Sequence, residues 1–168
     1  ASNSVNIVLS AADGQNIKTR EIQSAIDSCH QAGGGVVVFS GGTFLTGSIQ
    51  LKSNVTVIVE AGAAIKGSAD LNDYPFHKSS HLFGPDDMKM RSLIWADNAE
   101  NIRICGNGTI DGSGQSPQFD IKQQPRPVRP IVMRLISCKN TLIEGITLKS
   151  SPMWMQQYVN CEQLRIRN

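Results

Sequence analysis

The residues that could do chemistry in this chain fall into several groups, and none is a complete catalytic set. Asp86 and Asp87 are adjacent carboxylates. Hydrolysis of a sugar linkage needs one carboxyl to protonate the leaving oxygen and a second to activate water from the other side. Neighbours on an irregular stretch after Pro85 do not meet that geometry, and a solvated turn is the expected role. Asp111, in Thr109-Ile110-Asp111-Gly112, has the type and place of a residue that bonds turn backbone, with the edge of a ligand cleft as the alternative. His77 and His81 are four apart, which would suit metal ligation on a helix. Ser79-Ser80 and Pro75 indicate a loop and no third ligand stands nearby, so no metal and no cofactor is expected. The remaining candidates are binding residues. Trp154, in Ser151-Pro152-Met153-Trp154, has a flat face able to stack on a pyranose ring or to fill a core. Gln156, Gln157 and Tyr158 follow it with hydrogen-bonding groups. Arg126 and Arg129 stand among four prolines and could hold a carboxylate through paired N–H donors, as could Lys52 and Lys149 more weakly.

The elements that must position these residues are repeats. SNVTVIV (53–59), ENIRICG (100–106), CKNTLIEG (138–145) and CEQLRIR (161–167) are versions of one pattern, a polar turn residue followed by alternating inward and outward residues. The period is two, which is strand. Placing Cys138 over Cys161 puts Thr141 over Leu164, Leu142 over Arg165 and Ile143 over Ile166. Val55 with Ile102 and Val57 with Ile104 continue the two apolar columns. AIKGS (64–68) and TIDGS (109–113) share a tail in which glycine suits a bend between flat strands. Stacked coils of this kind make a right-handed single-stranded parallel β-helix, an all-β solenoid whose coils lie about 4.8 Å apart. A β-sandwich of short strands is the competing reading.

A chain of 168 residues with 40% hydrophobic content is expected to be one domain. The net charge of +2, from 16 basic and 14 acidic residues, gives no footprint for nucleic acid or a membrane surface. No apolar window approaches the roughly 18 residues of a spanning helix. Cys29, Cys105, Cys138 and Cys161 form no CxxC and no Cys/His zinc pattern. Cys138 and Cys161 are expected to be stacked thiols, with a disulfide as the alternative.

Along the chain, VNIVL (5–9) reads as a first strand and Asp13-Gly14 as a turn. Residues from about 17 to 32 read as the single helix, with Ile22, Ala25, Ile26 and Cys29 on one face, Asn16 as N-cap and Gly33-Gly34-Gly35 as the stop. Its expected job is to cap the open end of the first coil. VVVF (36–39) and FLTGSIQL (44–51) read as strands separated by Gly41-Gly42. Coils are expected from about 36 to 168, interrupted by loops at about 69–92 and 115–130, where a regular scaffold builds its binding surfaces.

Several stretches, taken together, resemble glycoside hydrolase family 28, the polygalacturonase and rhamnogalacturonan-hydrolase family. They are the run from Asp13 to Ser68, Asp73-Tyr74-Pro75, LIWADNAENIRICGNGTIDGSG (93–114) and the run from Arg126 to Asn168. The resemblance covers about 7–168 and implies a parallel β-helix acting on α-linked galacturonic-acid-containing pectin. It implies an inverting, aspartate-based hydrolysis, a pectic polysaccharide or oligosaccharide as partner, and a secreted or periplasmic location. Within that reading Trp154, Gln156, Gln157, Tyr158, Arg126 and Arg129 are the candidates to hold substrate, with a core place for Trp154 and plain surface solvation for the two arginines as the alternatives. Many relatives have His where Gln157 stands. The family's aspartates lie in an Asn-(Thr/Asn)-Asp segment and a following Asp pair, with Gly-His-Gly and Arg-Ile-Lys further on. No Asn-Thr-Asp, Asn-Asn-Asp or Arg-Ile-Lys occurs in the 168 residues. The expectation is therefore the N-terminal half of a hydrolase, inactive alone, whose open last coil favours self-association or a companion chain. A polysaccharide lyase and a non-catalytic carbohydrate-binding β-helix are the alternatives.

Overall fold

The structure is a computed structural model that describes residues 4–82, 84–85, 90–125 and 128–168. In chain order the elements are β1 (Val5–Asp13), α1 (Thr19–Gln31), β2 (Gly35–Thr46), β3 (Ile49–Gln50), β4 (Val55–Val59), β5 (Ala63–Gly67), β6 (Ser92–Asp97), β7 (Glu100–Gly106), β8 (Thr109–Asp111), β9 (Ile131–Ile136), β10 (Lys139–Glu144), β11 (Thr147–Lys149), β12 (Gln156–Val159) and β13 (Glu162–Arg167). The strands pair in parallel, each with the equivalent strand of the neighbouring coil. One sheet runs β11-β8-β5-β2-β4-β7-β10-β13, with β1 also on β2, and a four-stranded sheet runs β12-β9-β6-β3. The fold is a right-handed parallel β-helix, the hand that parallel crossovers take.

The columns form as the period-two pattern requires. Val57 pairs with Ile104, Ile104 with Ile143 and Ile143 with Ile166. Val57, Ile104 and Ile143 are buried, while Ile166 on the last strand is 50% exposed. In the parallel column Val55, Ile102 and Thr141 are buried and Leu164 is half-buried. The Thr141 hydroxyl is buried there without a hydrogen-bond partner. At the turn before these strands Asn54, Asn101 and Asn140 each adopt positive φ, of 65°, 56° and 51°. Their side chains stack as a hydrogen-bonded ladder, Asn101 Nδ2 to Asn54 Oδ1 at 2.9 Å and Asn140 Nδ2 to Asn101 Oδ1 at 2.7 Å. Asparagine suits this place because its short amide tolerates the left-handed region. All four cysteines are free thiols. The neighbouring Cys161 sulfur, together with burial, pushes the Cys138 thiol up.

Two local expectations are corrected. Gly41 and Gly42 do not separate two strands; they bend the continuous strand β2 at φ 65° and 89°. The bend lets β2 pair with β4 through its first half and with β5 through its second. A side chain at Gly42 would sit 2.1 Å from the Ala12 carbonyl oxygen. Asn16 is not the helix cap. Lys18 holds the N-cap position with no side-chain bond, because its N–H donates to the Leu45 carbonyl at 2.7 Å. Thr19 Oγ1 instead accepts from Gly47 N at 2.8 Å, which ties the helix start to the first coil. The helix buries Ile22, Ala25, Ile26 and Cys29. Gly33 N and Gly34 N close its end on the His30 and Cys29 carbonyls.

Candidate functional site

The four-stranded sheet has two faces set by residue parity. Ile94, Ala96, Met133 and Leu135 point into the core. The alternate positions form an outer row by register, Gln50 beside Trp95, Trp95 beside Arg134, and Arg134 beside Gln157. Long segments between the coils border this row, and the first of them packs on it. The His77 ring lies flat on Trp95, with centroids 4.2 Å apart and planes 3° off parallel. His77 Nε2 is 3.2 Å from Ser92 Oγ. Ser80 binds the Asp97 carboxylate through its N–H at 2.7 Å and through its hydroxyl. The base of this segment is fixed by Arg91, whose Nη1 donates to the Leu71 and Tyr74 carbonyls at 2.6 and 2.7 Å and whose guanidinium covers the Phe76 ring.

Arg134 is the centre of the row. It is 0% exposed although its parity is outward, and Ser79 from the segment before β6 packs against it. Its Nη1 donates to Ser79 Oγ at 2.9 Å and its Nε to Gln157 Oε1 at 2.6 Å. A buried guanidinium is stable only when its donors are used. Burial, and then the Arg134 cation, hold His77 down at about 4, against a partial opposing pull from Asp97. His77 is therefore a neutral imidazole at physiological pH, and its buried Nδ1 has no hydrogen-bond partner among the described residues.

The expected binding residues divide. Trp154 is 50% exposed on the last coil, as is Ile166. Its backbone is pinned, its carbonyl accepting from Val132 N at 3.2 Å and from Ser151 Oγ at 2.7 Å, which leaves the indole presented on a fixed frame. Gln157 lies on the outer row and is half-buried. Gln156 and Tyr158 have the opposite parity, in register with Met133 and Leu135. The Tyr158 hydroxyl donates to Gln156 Oε1 at 2.9 Å, and burial pushes this phenol up to about 12. Arg129 is half-buried and donates from Nη1 to the Pro152 carbonyl at 2.5 Å, bracing the segment that carries Trp154. Arg126 and Asp86-Asp87 lie outside the described residues. Lys52 pairs with Asp27 at 2.8 Å. Lys149 pairs with Asp111 at 3.6 Å on the other sheet, and Asp111 also caps its turn by accepting from Ser113 N at 2.9 Å. His77 and His81 share no helix.

Sequence reasoning missed Trp95 and Arg134, and it weighed His77 only as a metal ligand. The signal for Arg134 was present, since it precedes Gln157 by one coil, the 23-residue spacing that also separates Cys138 from Cys161.

Chemically, Trp95 is covered by the His77 ring and Arg134 is fully buried, so the row presents the amide groups of Gln50 and Gln157, the latter backed by a buried cation. Asp97 is the one acidic residue on strands β3, β6, β9 and β12, and Ser80 engages it. Two carboxyls facing each other across a cleft are not found on these strands.

The family model described as Glycosyl hydrolases family 28 matches residues 29–168. The exo-poly-alpha-D-galacturonosidase of Dickeya chrysanthemi is 33% identical over 120 residues, which cover 67% of this chain and 19% of that protein. The exopolygalacturonase of Cochliobolus carbonum is 26% identical over 161 residues, covering 96% of this chain and 35% of its own length. The structure of a hyperthermoactive exopolygalacturonase from Thermotoga maritima has the same fold, with a TM-score of 0.78 at 24% identity over 98% of this chain and 46% of that one. The chain thus spans less than half the length of these relatives. With the coil register, the outer row and a match over most of its length, the chain belongs to glycosyl hydrolases family 28.

Proposed function

We propose that this chain is the substrate-holding part of a pectin-degrading glycoside hydrolase, and that the outer face of the β12-β9-β6-β3 sheet, with Trp154 beside it, binds a galacturonate-containing oligosaccharide. The observation that carries this reading is the outer row itself, with the half-exposed Trp154 indole on a pinned backbone and Gln157 braced by Arg134. An exposed aromatic held in place gives a sugar ring a stacking surface at little cost in conformational entropy. Arg129, from its place beside Pro152, adds positive charge for a uronate. Family membership supports the substrate class.

Cleavage is assigned elsewhere. The outer row lacks a pair of facing carboxyls, and an inverting hydrolase separates its two by about 6.5–9.5 Å with water between them. These residues therefore bind without cutting, and the aspartates of the inverting reaction belong to other coils of the enzyme. Pectic polymers lie outside bacterial and plant cytoplasm, so a secreted or periplasmic place of action goes with this reading. The exposed Ile166 and half-buried Leu164 favour a further coil, a second copy or a companion chain against β13. The test is calorimetric titration of the protein with trigalacturonate, alongside a reducing-sugar assay on polygalacturonate. Binding without sugar release supports the proposal. Release of sugar by these 168 residues overturns the division of labour, and no binding overturns the reading as a whole.

A further inference from the structure

We propose that Gln157 meets its ligand as a hydrogen-bond donor, its amide held in that sense by Arg134 acting as a positioning residue, and that it reads the carboxylate of a bound uronate. The inference rests on the pectic-binding reading and adds the polarity of one contact to it.

The orientation of a glutamine amide is ordinarily ambiguous, because its oxygen and nitrogen ends have the same shape. Here the chemistry removes the ambiguity. Arg134 carries N–H donors and no acceptor. The Gln157 atom 2.6 Å from Arg134 Nε must therefore be the oxygen. A flip would bring two donors together beside a fully buried guanidinium, at the cost of a charge-assisted bond.

The anchor itself does not move freely. Arg134 is 0% exposed, lies in the middle of β9, and is fixed at a second nitrogen by Ser79 Oγ at 2.9 Å. The segment supplying Ser79 is held in turn by the His77–Trp95 stack and by the Ser80–Asp97 contacts. Gln157 is thus the outermost member of a chain of contacts that begins in buried structure.

With its oxygen used, Gln157 has two N–H groups on Nε2 left. They have no hydrogen-bond partner among the described residues, and the side chain is half-buried, so the amine end reaches solvent. Gln157 is on the outer row, whereas its neighbours Gln156 and Tyr158 have core parity and bond each other. A cation behind a carbonyl polarises the amide and makes its N–H groups better donors. Such a group suits an anionic oxygen and is poorly matched to another donor. Among the groups of a pectic chain that is the uronate carboxylate, ahead of a hydroxyl or a methyl ester.

The alternative is that Gln157 only braces Arg134. Q157E separates the two, because glutamate keeps an oxygen for Arg134 Nε while replacing the outward donor with an anionic acceptor. Trigalacturonate and its methyl ester are titrated calorimetrically into the protein and into Q157E at pH 7, with melting temperatures measured in parallel. The expected result is a melting temperature unchanged or raised, affinity for trigalacturonate at least tenfold weaker, and a smaller loss for the ester. A trigalacturonate affinity within twofold of wild type overturns the proposal and leaves the pectic-binding reading standing. An equal loss for acid and ester overturns the carboxylate assignment. A wild-type protein that binds neither trimer overturns the underlying reading and the inference with it. Should Q157E melt low, Q157M supplies the control. It removes the brace and the donor together, so equal affinity losses in Q157M and Q157E at different stabilities support the donor, and losses that track stability overturn it.

Discussion

Acidification should destabilise this protein by way of His77, at a pH above that at which the depressed carboxyls of Asp13 and Asp27 take up protons. His77 is 7% exposed, its ring covers Trp95, and Arg134 stands near it. Burial first, and the Arg134 cation second, lower it from 6.5 to about 4. The folded state therefore resists protonation between those two values while the unfolded chain accepts the proton. Stability rises with pH wherever the unfolded state binds more protons, so this contribution is present above about 6.5 and is lost as pH falls toward 4. Each unit corresponds to about 1.4 kcal/mol, and going from pH 7 to 4.5 should cost about 2 kcal/mol through this one group. Asp13 and Asp27 are held below their ordinary 3.8, so their contributions fade at lower pH, outside this window. The assay is urea unfolding followed by tryptophan fluorescence at pH 7, 5.5 and 4.5, for wild type and for H77F. Phenylalanine keeps a ring on Trp95, removes the unpartnered Nδ1 and cannot titrate. Wild type should lose stability across the series, and H77F should lose about 2 kcal/mol less of it. Equal losses in the two proteins would refute the reasoning, because the proton would then be binding elsewhere.

Three further outcomes follow from the packing. T141V should stabilise the protein by about 1 kcal/mol in denaturant unfolding, since valine has nearly the same shape and removes a buried hydroxyl that has no partner. N101A should cost about 2 kcal/mol, through two ladder hydrogen bonds and a left-handed φ of 56°, and N101G should cost less because glycine tolerates that φ. W154A should leave the melting temperature within about 2 °C, as expected for a half-exposed side chain whose backbone bonds do not depend on it, yet weaken trigalacturonate binding about tenfold.

The scaffold was legible because its signal is periodic and local. Val55, Ile102 and Thr141 could be aligned from alternation alone, and the observed ladders keep that register. The helix face was readable for the same reason, with all four named residues buried. The site was harder, since its contacts come from excursions that have no period. Nothing in the local pattern around His77 announces that it will lie on Trp95, 18 residues on. Arg134 hides in IVMRLI, a run that reads as a fully apolar strand. The cation is tolerated there because Ser79 and Gln157 arrive from other parts of the chain to use its donors. Parity was available on β12 as well, and it separates Gln157 from Gln156 and Tyr158, which the sequence reading had grouped together. The helix start went to Lys18 and not Asn16 because a tertiary bond to Leu45 fixes the chain there, a contact that outranks capping preference.

The central claim is that the outer face of the β12-β9-β6-β3 sheet is where a galacturonate chain lies. Chemical-shift mapping by two-dimensional nuclear magnetic resonance, with trigalacturonate added stepwise, tests it most directly. The account predicts saturable shifts of the Gln157 side-chain amide and the Trp154 indole N–H, with smaller ones at Trp95. Shifts confined to the Lys66, Asp111 and Lys149 row of the other sheet, with none at Gln157 or Trp154, would contradict it.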